Sequence, residues 1–63
     1  MPDDRSHGEV YFEFVAIGRQ VKVSAIDAAT GTEVSVMGPA TASQVDLQRL
    51  ALKKLQARLN SAG

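Results

Sequence analysis

The run from Gln20 to Met37, QVKVSAIDAATGTEVSVM, decides how this chain folds. Val21, Val23 and Ala25 alternate with Gln20, Lys22 and Ser24, and Val34 and Val36 alternate with Glu33 and Ser35. A period of two places each set on its own face of a strand. Asp27-Ala28-Ala29-Thr30-Gly31 separates the two runs. The Asp27 carboxylate can accept backbone N–H groups where a turn begins, and Gly31 can adopt the left-handed conformation that closes it. Ile26 breaks the alternation: it is an apolar residue on the polar face.

Upstream, residues 9–17, EVYFEFVAI, are rich in β-branched and aromatic side chains and read as a first strand. Val10, Phe12, Phe14 and Ala16 share one face, and Tyr11, Glu13, Val15 and Ile17 the other. The two phenylalanines mark the first face as the core side. Gly18-Arg19 supplies a tight turn into residues 20–27. Downstream, residues 32–37 form a third strand and Gly38-Pro39 is expected to end the sheet. Short strands with short connections predict an antiparallel meander.

Thr41 or Ser43 then caps a helix. Gln44 follows Thr41 at the third position and Asp46 follows Ser43, so capping-box spacing occurs in two registers. Val45 to Leu59 contains neither Gly nor Pro and is rich in strong helix formers, and Asn60-Ser61-Ala62-Gly63 supplies C-cap chemistry. At about 100° per residue, Leu47, Ala51, Leu55 and Leu59 form one stripe. Val45 and Leu52 widen that stripe, while Leu50 falls outside it. The expected fold is α+β: a three-stranded antiparallel β-meander with one C-terminal α-helix on one face, β-β-β-α. Its core is expected to hold Phe12, Phe14, Val23, Val34, Leu47 and Leu55. One domain is expected over residues 9–60, with tails at 1–8 and 61–63.

Composition narrows the function. The chain has 63 residues, seven Lys+Arg against seven Asp+Glu, and 44% hydrophobic residues, which is too apolar and too neutral for a disordered segment. With no cysteine, disulfides, thiol nucleophiles and Cys-ligated zinc are excluded. The basic excess by which nucleic-acid binders neutralise phosphates is missing overall. No apolar window approaches the ~18 residues of a membrane span, so no membrane partner is expected. The opening Met1-Pro2-Asp3-Asp4-Arg5 is acidic and unlike a secretory signal, which predicts a cytoplasmic protein.

Residues that could carry chemistry have simpler roles. His7 is the single histidine, and its nearest metal-ligating neighbours, Asp3, Asp4 and Glu9, sit with it at or beside the expected tail. It reads as an exposed tail histidine. Glu9 and Glu13 share a strand face about 13 Å apart, with no cleft to desolvate them. Ser24, Thr32 and Ser35 have no second histidine as base, and Gly31 and Gly38 lack the spacing of a phosphate loop. No catalytic residue, cofactor or metal site is expected, and the protein is read as non-enzymatic.

Two surfaces remain. Arg49 and Lys53, with Lys54 and Arg58 on a flank, give the helix a basic side that could meet phosphates or an acidic partner. Cations near a helix C-terminus also answer the helix dipole. Tyr11 is the one outward aromatic, where sheet-type RNA readers present more than one. Val15, Ile17, Ile26 and Leu50 are apolar residues that one helix cannot cover, and they are the candidates for self-association. The expected function is a small protein-interaction module, either homodimeric or bound to an unidentified protein. The alternative is a weak nucleic-acid-binding domain using the basic helix face.

Several segments resemble a known family. They are Glu9-Val10-Tyr11-Phe12-Glu13-Phe14, Val21-Lys22-Val23, Ala25-Ile26-Asp27 leading into Thr30-Gly31-Thr32-Glu33-Val34, Gly38-Pro39-Ala40, and Leu50-Ala51-Leu52-Lys53-Lys54-Leu55. Over residues 9–59 the chain is similar to a small alphaproteobacterial family, a domain of unknown function. The resemblance implies a bacterial cytoplasmic setting and brings no activity, ligand or catalytic residue with it.

Overall fold

The computed structural model describes residues 9–61. Strand β1 (Val10–Ile17), strand β2 (Gln20–Asp27), strand β3 (Glu33–Pro39) and helix α1 (Gln44–Ser61) follow one another along the chain. The expected tail at 1–8, with His7, and the last two residues of the expected C-terminal tail lie outside the described residues.

The meander is made by two glycines. Gly18 has φ 61° and Arg19 does not have a positive φ, so Ile17 and Gln20 are joined by a turn of the II′ type. Its twist matches that of the strands it connects. Gly31, at φ 75°, closes the second bend, and its N–H donates to the Asp27 carbonyl at 2.7 Å. Asp27 is buried, and its Oδ2 accepts from the Thr30 N–H at 3.1 Å and the Thr30 hydroxyl at 2.7 Å. The carboxylate thus anchors the turn, as its position in the sequence predicts. The sheet is antiparallel throughout, in the order β1-β2-β3.

Of the two candidate caps, Ser43 is used: its hydroxyl accepts from the Asp46 N–H at 3.2 Å. The helix lies across β2 and β3. Val21, Val23, Ala25 and Val34 beneath it and Leu47, Ala51 and Leu55 above form the buried core. Leu47 is seated against Gly38, where a Cβ would fall 2.5 Å from the Leu47 Cδ2.

Three expectations need correction. Phe12 is only half-buried, and Phe14 remains 37% exposed, so neither joins the fully buried core. A helix roughly 10 Å across covers two strands spaced about 4.8 Å apart, not three, and α1 sits over β2 and β3. Gly38-Pro39 does not end the sheet; both residues belong to β3. An edge strand has no partner for an outward N–H, so proline is tolerated there. Ser24 lies on the face away from the helix as expected, but it is 2% exposed rather than solvated. It is a small residue on the central strand, flanked by Glu13 and Ser35.

Candidate interaction surface

The strand register sets the side of the sheet that α1 does not touch in four rows. Tyr11, Ile26 and Glu33 form one, and Glu13, Ser24 and Ser35 the next. Val15, Lys22 and Met37 form the third, and Ile17, Gln20 and Pro39 the last. Tyr11, Val15, Ile17 and Met37 are exposed large apolar or aromatic side chains, and Ile26 is half-buried. The fold therefore brings Val15, Ile17 and Ile26 onto one face. Leu50, the fourth apolar candidate, is exposed on the helix in the other layer and does not join them. Met37 was not among the candidates. Its parity with Glu33 and Ser35 already puts it outward in a strand over residues 32–37.

The charged groups in these rows are Glu13, Lys22 and Glu33. Glu9, just before β1, accepts a hydrogen bond from the Tyr11 hydroxyl at 2.8 Å. That bond, and then the carboxylate's charge, hold the Tyr11 phenol above its ordinary value of 10.0. Lys22 and Glu13 stand in adjacent rows on neighbouring strands.

The basic helix candidates are divided among different tasks. Lys54 Nζ donates to the Ser35 carbonyl at 2.8 Å, across to the outer edge of β3. Arg49 stands 3.8 Å from Asp46 one turn earlier, with both side chains largely in solvent, a pair worth little in stability. Lys53 is exposed on the helix, and Arg58 lies in its last turn. On the flank away from Lys54, Val45, Gln48, Arg49 and Leu52 line a shallow depression of about 240 Å³. It is open, and neither a nucleophile nor a histidine lines it. No cluster of His, Cys, Asp or Glu able to hold a metal ion occurs among the described residues, and none of their helices is long and apolar enough to cross a membrane.

These features define a small α+β domain: a three-stranded meander with one helix, bare on one sheet face and along its first strand. The chain belongs to the family of the domain of unknown function DUF6898, whose model matches residues 7–62. Comparison with curated proteins and with solved structures finds no match.

Proposed function

We propose that this chain is a small non-enzymatic protein-interaction module that binds through β1 and the bare sheet face. One observation carries the reading. The helix covers β2 and β3 and leaves Phe14 and Ala16 exposed on one side of β1, with Tyr11, Val15 and Ile17 exposed on the other. Scattered surface apolar residues are ordinary; exposure on both faces of one strand is not, because natural proteins usually cover or interrupt such edges. The bacterial cytoplasm is the setting that goes with this reading, and it rests on the resemblance to alphaproteobacterial proteins. Nucleic-acid binding by the helix has less support, since Lys54 and Arg49 each have a partner within the chain.

The test is site-specific photo-crosslinking in cells, with a benzophenone amino acid replacing Tyr11 or Ile17 on β1, or Lys53 on the helix. Protein adducts from the two β1 positions, and none from position 53, are expected. Absence of adducts from both β1 positions would overturn the reading.

A further inference from the structure

The two edges of the sheet differ. In an antiparallel ladder, alternate residues turn their N–H and C=O toward the neighbouring strand and the rest turn theirs away. The Ala40 N–H donates to the Arg19 carbonyl, so on β3 the outward groups belong to Glu33, Ser35, Met37 and Pro39. Two of these four positions are blunted. Pro39 has no N–H, and Lys54 occupies the Ser35 carbonyl. A proline and a lysine are the devices by which natural edge strands avoid further pairing.

The β1 edge carries neither device. Ala28 N–H donates to the Glu9 carbonyl at 2.9 Å, so odd-numbered residues of β1 face β2 and even-numbered ones face outward. Val10, Phe12, Phe14 and Ala16 therefore direct their N–H and C=O groups away from the sheet, from a strand with no proline and no lysine. Of their side chains, Val10 and Phe12 are only half-buried against the core, and Phe14 and Ala16 are exposed.

We infer that β1 pairs with β1 of a second copy, antiparallel, about a two-fold axis at Phe14. This rests on the reading of the chain as an interaction module and names its partner. The register follows from charge and from backbone phase. An axis at Glu13 would set two Glu13 carboxylates directly opposite, which is destabilising. Axes at Phe12 or Val15 shorten the ladder by running it off one end of β1. With the axis at Phe14, Phe14 faces its own copy, Phe12 faces Ala16, and these outward-directed residues supply both donors and acceptors. On the bare face Tyr11 meets Ile17, and Glu13 meets Val15 instead of its own copy.

The product is one continuous six-stranded sheet built from two three-stranded ones. Both helices lie on the same side of it, about 19 Å apart, four strand spacings. They do not pack on each other. The contact is the strand ladder and its side chains, at the small end of protein interfaces, below about 1,200 Å². Self-association is accordingly weak and visible as a concentration dependence.

Sedimentation equilibrium of the full chain, from about 10 to 500 μM to cover a contact of that size, is expected to show a mass rising from 6.7 kDa toward twice that value. Ala16→Pro removes an outward N–H that makes no bond within the sheet, and should hold the mass at the monomer with strand and helix signals kept. The register is tested separately with thiols, since the chain has no cysteine of its own. In the Tyr11→Cys/Ile17→Cys double variant the two thiols face each other across the axis, and oxidation should give a covalent dimer. Either single variant places its two copies about 20 Å apart and should not cross-link. These exposed positions leave the core intact, so the thiol experiment decides the register even if Ala16→Pro fails to fold. A mass of 6.7 kDa across the whole range, or single-thiol variants that cross-link as fast as the double one, overturns the inference. A monomer whose β1 photo-adducts contain a different protein would overturn self-pairing and leave the interaction reading standing.

Discussion

Gly38→Ala tests how the helix is seated. The methyl group would lie 2.5 Å from Leu47 Cδ2, 3.1 Å from Cδ1 and 3.4 Å from Cγ. Carbon atoms prefer about 3.5–4.0 Å, so roughly 1 Å of movement is required. Leu47 is 5% exposed, and its δ carbons sit in the core rather than in solvent. Overpacking of this kind costs about 1–3 kcal/mol. Part is offset, by about 0.4–1 kcal/mol, because alanine restricts the unfolded chain more than glycine does. The net expectation is a loss of about 1–2 kcal/mol, from a total of roughly 3–9 kcal/mol for a chain of this length. At about 4–8 °C per kcal/mol, the thermal midpoint followed by circular dichroism should fall by roughly 4–16 °C. The cause is checked in a Leu47→Val background, which removes the δ carbons for about 0.8 kcal/mol of its own. There Gly38→Ala should cost less than about 0.5 kcal/mol, a direct measure of coupling between the two positions. An unchanged or higher midpoint for the single variant, or the full penalty surviving in the double one, would refute the seating of Leu47 on Gly38.

Two further outcomes follow from the core and from the bare face. Leu55 is completely buried at the centre of the helix stripe, so Leu55→Ala should lower the unfolding free energy by about 2–5 kcal/mol in denaturant melts. A midpoint equal to that of the parent would mean that α1 packs through another side. Tyr11 is the single tyrosine and there is no tryptophan, so its ionisation can be followed by absorbance without interference. Its phenol donates to the ionised Glu9, which penalises the phenolate, so its titration should centre above 10.0 and move down in Glu9→Gln. If the midpoint does not respond to that substitution, the Tyr11–Glu9 bond does not persist in solution.

Alternation, turn residues and capping are local, and these parts of the fold are legible in the sequence. Asp27, Thr30 and Gly31 name their own turn, and Gly18 names the other. The helix cap narrows to Thr41 or Ser43 from local spacing, and Ser43 is the one used. The parity of Phe12 and Phe14 was also legible, since they do share a face with Val23 and Val34. Periodicity reports which face a residue occupies, however, and not which strand the helix will cross. That is settled by contacts between distant segments: Leu47 on Gly38 and Lys54 on Ser35 draw α1 toward β3. Gly38 reads as a breaker because its local signal is the same whether it ends a strand or makes room for a side chain. The apolar candidates Val15, Ile17 and Ile26 came together because they share parity on paired strands, whereas Leu50 belongs to the other layer.

The placement of the aromatic residues follows a physical constraint on this architecture. One helix shields about two strands, so a three-stranded meander with a single helix always leaves a strand under-covered. A chain that functions alone would place small or polar residues on that strand and interrupt its edge. Here the under-covered strand holds the only two phenylalanines and the only tyrosine, while the proline and the contacting lysine guard the opposite edge. Moving Lys54 or Pro39 to serve β1 would have reversed the protection. Helix offset and edge chemistry share the Lys54–Ser35 contact, aromatic placement is separate from it, and each leaves β1 as the strand able to accept another. The proposed pairing rests on that agreement: association would cover a hydrophobic surface that one chain leaves exposed.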